Sequence, residues 1–246
     1  MITVYNAKPG ITLEKLRKIK PTTPEGAGGR WCPIPHAELV ETIRDEIQTR
    51  GWEVADMRLA VASSGQDMAG AIVFDKMGRR YARKMPDMNF SVGFLNSNAR
   101  RRALKLTVGA EVTCCTNGLC TGELLLSRAH EHGVQLVDEV GEAFDRYLDA
   151  AEVIPATVAA LRETELSQGE ASDILLQAGH AALVGWKTVG LVDAEYRKPT
   201  FAEHGTGTAW ALLNAFTYAA RERINPVKQM EVFNKFRELL PMEVVA

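Results

Sequence analysis

Apolar positions change their spacing along the chain, and the change divides it. After Pro35, Leu39, Val40, Ile43 and Ile47 recur at intervals of three and four, with Glu38, Glu41, Arg44 and Asp45 between them. That is one face of an amphipathic helix, and Gly51 ends it. From Trp52 to Ala62 the spacing falls to roughly two, with Val54, Met57, Leu59 and Val61 apolar. Ser63-Ser64-Gly65-Gln66-Asp67 then turns the chain, and Met68 to Phe74 returns as the second arm of a β-hairpin. Further strands are expected over Phe90 to Leu95 and over Ala103 to Val108, the latter continuing through Val112 to Cys115, with Asn96-Ser97-Asn98 between the two. Asn117-Gly118 reads as a tight turn. From Ser127 the spacing returns to three and four: Val134, Val137, Val140, Phe144 and Leu148 begin it, and the stretches 154–166, 171–189, 208–224 and 227–240 continue it.

Strands bunched ahead of helices point to an α+β fold, not to a doubly wound sheet. We expect an N-terminal helix and a small antiparallel β meander, followed by a helical C-terminal half. All of 1–246 reads as a single domain: an irregular arm over 1–35, helix plus meander over 36–125, and the helical half over 126–246. The arm is punctuated by Pro21, Pro24, Gly26, Gly28, Gly29 and Pro33.

Bulk composition is that of an ordinary globular protein, with 46% hydrophobic and 24% charged residues, so neither disorder nor a fibrous class is indicated. No apolar run approaches a membrane span, and the first residues lack a basic region followed by an apolar one, so no secretory leader is expected. Cys114, Cys115 and Cys120 crowd together and Cys32 stands apart, a poor disulfide framework. Free thiols and a cytoplasmic location are the expectation.

Charge changes the picture more than composition does. Between Lys76 and Lys105 lie Lys76, Arg79, Arg80, Arg83, Lys84, Arg100, Arg101, Arg102 and Lys105, opposed only by Asp87. The window carries +8 in a chain of net charge −2, so the remainder carries −10. Such asymmetry is a footprint of phosphate binding. Tyr81, Phe90 and Phe94 lie among these cations, and aromatic faces stack bases whatever the sequence. The alternative is a solvated surface paired with the acidic remainder. The candidate nucleic-acid-binding set is Arg79, Arg80, Arg83, Lys84, Arg100, Arg101, Arg102 and Lys105, with Tyr81 and Phe94 to stack.

Other candidates are weaker. Cys114, Cys115 and Cys120 with His130 and His132 match no standard zinc spacing. His36 reads as capping the first helix or facing solvent, and His180 as packed in an apolar stretch. Gly205-Thr206-Gly207-Thr208 leads into a helix but lacks the lysine and preceding strand of a P-loop, so Thr206 or Thr208 is read as an N-cap. Glu163 and Glu165 are read as solvated. No nucleophile elbow, zinc-protease motif or dinucleotide fingerprint occurs, and no catalytic residue, metal or cofactor is assigned.

Four segments in order carry a resemblance. Cys32-Pro33-Ile34-Pro35-His36 precedes a helix that ends at Gly51-Trp52. Leu95-Asn96-Ser97-Asn98 is followed by Cys115-Thr116-Asn117-Gly118-Leu119, and Gly207-Thr208-Ala209-Trp210 runs on through Asn214 to Thr217. Together they resemble the phage/plasmid-like bacterial family catalogued as a domain of unknown function, number 932. Here Asn98-Ala99 and three arginines stand in place of a short Asp-Gly-Ser-type turn, and Cys114-Cys115 in place of a valine-cysteine pair. The resemblance implies carriage on mobile elements and a setting in phage or plasmid DNA metabolism, but no reaction. The order of elements is also similar to the core of single-strand annealing recombinases, which implies a homo-oligomer laying single strands along a basic groove.

The reading favoured is a binding protein for single-stranded DNA, with a role in annealing or recombination and no need of a cofactor. A metal-dependent enzyme acting on nucleic acid or nucleotides is one alternative. A protein-interaction module of a mobile element is the other.

Overall fold

Five strands form one antiparallel sheet in the order of the chain: β1 Glu53–Ala62, β2 Asp67–Asp75, β3 Met88–Ser97, β4 Leu104–Val112 and β5 Gly118–Arg128. The computed structural model describes residues 10–23, 25–26, 31–75, 88–112, 118–130, 135–220, 223–224 and 226–241. A one-turn helix α1 (Leu13–Leu16) and the amphipathic α2 (His36–Thr49) precede the sheet. Among the described residues, five α-helices follow it: α3 Leu136–Glu163, α4 Gln168–His180, α5 Trp186–Arg197, α6 Ala209–Ala220 and α7 Pro226–Glu238. The fold is α+β.

Register explains which face does what, because successive side chains point to opposite sides of a strand. Met68, Gly70, Ile72 and Phe74 on β2 stand opposite Asn96, Phe94, Val92 and Phe90 on β3. On this face Phe74 packs against Trp52 and Tyr147, with ring centroids 5.2 and 5.5 Å apart. The intervening positions Ala69, Ala71, Val73, Ser91 and Leu95 are buried as well, so the middle of the sheet is covered on both sides. α3 supplies much of the cover: Val140, Phe144, Tyr147, Ala151, Ile154, Val158 and Leu161 repeat at three and four and are all buried. The Tyr147 hydroxyl donates to the Ser91 carbonyl at 3.0 Å, anchoring α3 to β3. α7 touches β1, β2 and β5. Phe236 of α7 stacks on Phe216 of α6 with centroids 3.6 Å apart.

Three expectations are corrected. Residues 118–128 form a fifth strand, where the sequence pattern gives only a turn at Asn117-Gly118 and helix from Ser127. The stretch 171–189 is two helices, broken where Ala182 adopts a left-handed φ of 52°. The stretches ending at Leu148 and beginning at Ile154 are one helix that runs through Pro155. No helix among the described residues is long and apolar enough to cross a membrane.

The helical half starts its elements with local hydrogen bonds. Ser167 and Glu170 form a reciprocal capping box on α4. Replacing Ser167 by Ala is expected to lower the unfolding free energy by about 1 kcal/mol, read as a shift of the urea midpoint at unchanged slope. Thr208 caps α6, accepting the Ala211 N–H at 3.1 Å, as the sequence indicates.

Candidate functional site

Antiparallel order brings the ends of β1, β3 and β5 and the starts of β2 and β4 to one end of the sheet. The arginine triplet lies there, in the connection between β3 and β4. Arg100 is exposed, with a left-handed φ of 56°. Its guanidinium donates to the Gly26 carbonyl at 2.9 Å and lies 5.8 Å from the centroid of the Trp31 ring. Arg101 pairs at 3.1 Å with the buried carboxylate of Asp67, which also accepts from the Ser97 hydroxyl at 2.6 Å. Arg102 and Lys105 are half-buried and face Glu231 of α7. The Glu231 carboxyl is held below the usual carboxylate range by Lys235 first, then by Arg102 and Lys105. Arg128, at the end of β5, is bound by Glu139 at 2.7 Å. Five cations therefore converge on one end of the sheet, with Asp67, Glu139 and Glu231 interleaved.

Beneath them lies a buried polar cluster. His36, at the first position of α2, is 1% exposed. Its Nδ1 lies 2.8 Å from Asn96 Nδ2 and its Nε2 lies 2.9 Å from the Gly65 carbonyl. An amide nitrogen only donates, so Nδ1 accepts and the proton sits on Nε2, which donates to Gly65. Asn96 Nδ2 also donates to the Ile34 carbonyl at 2.9 Å. His130, two residues past β5, is 1% exposed and its ring lies against Trp31 with centroids 4.7 Å apart. The Cys32 N–H donates to the His130 carbonyl at 3.0 Å. Burial pushes both imidazoles down, His130 to about 4, with His36 adding to the shift of His130. Among the described residues, both ring nitrogens of His130, Asn96 Oδ1, Asn98 Oδ1 and Trp31 Nε1 are buried without a hydrogen-bond partner.

Two of the segments that carry the family resemblance thus meet: Ile34 and His36 from one, Asn96 from the other. The last of them forms the start of α6, where Arg162 lies 5.0 Å from the Trp210 ring centroid and Asn214 donates to the Trp210 carbonyl at 2.8 Å. A family model described as "Domain of unknown function (DUF932)" matches residues 25–240. The chain belongs to the DUF932 family. No curated protein and no solved structure matches it.

Within this DUF932 chain the candidate residues part company. Arg100, Arg101, Arg102 and Lys105 share the sheet end. Arg79, Arg80, Tyr81, Arg83 and Lys84 lie outside the described residues, as do Cys114, Cys115 and His132. Phe94 is corrected: it is fully buried, its ring lies over Gly70, and it presents no face to a base. His36 is buried, not solvated, whereas His180, expected to be packed, is exposed with its ring edge-on to Trp186. Glu163 and Glu165 are exposed, in keeping with the sequence pattern. No group of three or more His, Cys, Asp or Glu side chains able to hold a metal occurs among the described residues. An open cleft of about 520 Å³ between the 181–185 loop and α7 carries Arg223, Glu231 and Lys235, mixed in sign and with no convergent chemistry. Arg128, Trp31 and Asp67 join the site without a signal in the sequence. Arg128 follows a strand that the pattern does not announce, and nothing local marks Asp67 as the partner of Arg101.

Proposed function

We propose that the basic end of the sheet binds a polyanionic strand, single-stranded DNA in first place, in the setting of phage or plasmid recombination. Arg100 carries this reading. A non-glycine residue in the left-handed region costs about 1 kcal/mol, and glycine fills such a turn more cheaply. Strain kept at an exposed cationic position points to use of the charge. Arg101, Arg102, Lys105 and Arg128 extend the charge across the ends of three strands. Neutralising phosphates requires no reaction, and homo-oligomers lining up such ends would lengthen the track.

Replacing Arg100 by Gly tests the idea. Relief of the backbone is opposed by loss of an exposed hydrogen bond and an arginine–aromatic interaction, so stability is expected to stay within about 1 kcal/mol of the parent. Affinity for a fluorescent single-stranded oligonucleotide is expected to fall, and the slope of log affinity against log salt to flatten by about 0.7 for each phosphate that is no longer neutralised. Absence of binding by the parent protein at low salt would overturn the proposal.

A further inference from the structure

Independently of strand binding, we propose that the sheet end is an acid-released latch: protonation of His36 and His130 detaches the segment Trp31–Pro35 from the ends of β3 and β5. Three of the interactions that hold this segment run through the histidine pair or its partners. Trp31 packs on the His130 ring, the Cys32 N–H bonds to the His130 carbonyl, and the Ile34 carbonyl accepts from Asn96, which itself donates to His36.

The hydrogen bonds leave no room for a second proton on His36. A proton on Nδ1 would point an N–H at the Asn96 amide nitrogen, which has only N–H groups to offer. Turning the amide over would place Asn96 Oδ1 against the Ile34 carbonyl, oxygen against oxygen. The arrangement is therefore stable only with His36 neutral. Among the described residues His130 has no acceptor for either ring nitrogen, so a second proton there leaves a buried charge unanswered. Once both rings are charged they repel each other.

Charged groups around the pair do not rescue it. Asp67 is the acid that acts on His36, and its carboxylate is already bound by Ser97 and Arg101. Arg100 adds positive charge at Trp31. Release of Trp31 would also take away the aromatic face beneath Arg100, so acid would loosen the arginine turn together with the arm.

Fluorine NMR of the full chain labelled with 5-fluorotryptophan tests the latch. The chain has four tryptophans, Trp31, Trp52, Trp186 and Trp210. The Trp31 signal is assigned by its loss in Trp31→Phe. As pH is lowered from neutral, the Trp31 signal is expected to move to a solvent-exposed position before the buried Trp210 signal changes. His130→Phe keeps an aromatic ring against Trp31 without a proton site, and is expected to hold the Trp31 signal in place to a pH at least about one unit lower, because the buried charge no longer forms. A Trp31 signal that moves only together with Trp210 would overturn the proposal, as would one that moves at the same pH in parent and variant. Should His130→Phe fail to fold, His36→Gln serves the same comparison, and the order of the Trp31 and Trp210 transitions in the parent decides alone.

Discussion

Replacing Gly70 by Ala is expected to destabilise the protein by about 3 kcal/mol, the upper end of what overpacking a core costs. A methyl group there would run into Cε2 and Cζ of Phe94 and stand 3.0 Å from a methyl of Leu59. Gly70 and Phe94 are directly opposed on β2 and β3, and the ring folds over the glycine. The ring thereby covers strand backbone that a glycine leaves bare. Phe94→Ala is expected to cost about 3–5 kcal/mol, because a large, fully buried side chain is removed. The two losses will not add. With Phe94 shortened, the methyl at position 70 loses both ring clashes and keeps only the contact with the Leu59 methyl, so the double variant is expected to be more stable than the sum of the singles by about 1–3 kcal/mol. Urea denaturation of the four proteins measures this coupling. Strict additivity would mean that the ring does not occupy the space above Gly70. The cycle also protects the interface reading from a false positive, since loss of DNA binding in Phe94→Ala would report a lost fold.

Acid is expected to remove about 3 kcal/mol of stability through His130 alone. In the unfolded chain this imidazole takes up its proton near pH 6.5, while in the folded protein it does so only near pH 4. Between those values the unfolded state holds more protons, so stability rises with pH across the window and falls as the solution is acidified through it. Above the window both states are neutral at this site and the contribution is whole. Below it both are protonated and the contribution is gone. His36 is shifted in the same direction by its own burial and steepens the same limb. Melting temperatures measured from neutral pH down through this window should fall along the limb. His130→Phe should flatten it at little cost at neutral pH, because the ring nitrogens have no described hydrogen bond to lose. An unchanged slope in that variant would show that the acid limb arises elsewhere.

How far the chain can be read depends on whether the decisive forces are local. The hairpin of β1 and β2 is legible because Val54, Met57, Leu59 and Val61 mark an apolar strand and Ser63 to Asp67 turns the chain. The fifth strand is not, because Leu124-Leu125-Leu126 is a continuous apolar run that fits strand and helix equally. Nor is the break after α4: Ala181, Ala182, Leu183 and Val184 give no breaking signal before Gly185. Phe94 stands among cations in the sequence and so resembles a stacking platform, yet strand parity sets it with Phe90 and Val92 on the inward face. Of the site, the arginine triplet and its charge are visible at once. The pairing of His36 with Asn96 spans 60 residues and that of Arg101 with Asp67 spans 34, and no pattern of spacing encodes either.

The packing of α7 shapes how the molecule comes into being. This helix meets β1 and β2, which lie in the first third of the chain, as well as β5. During synthesis the sheet waits for its last helical cover while the whole helical half is made. Pairings so distant along the chain slow the approach to the native state, since a long loop must close before they form. Until then, the sheet surface that α7 will occupy is open to a chaperone or to another nascent chain.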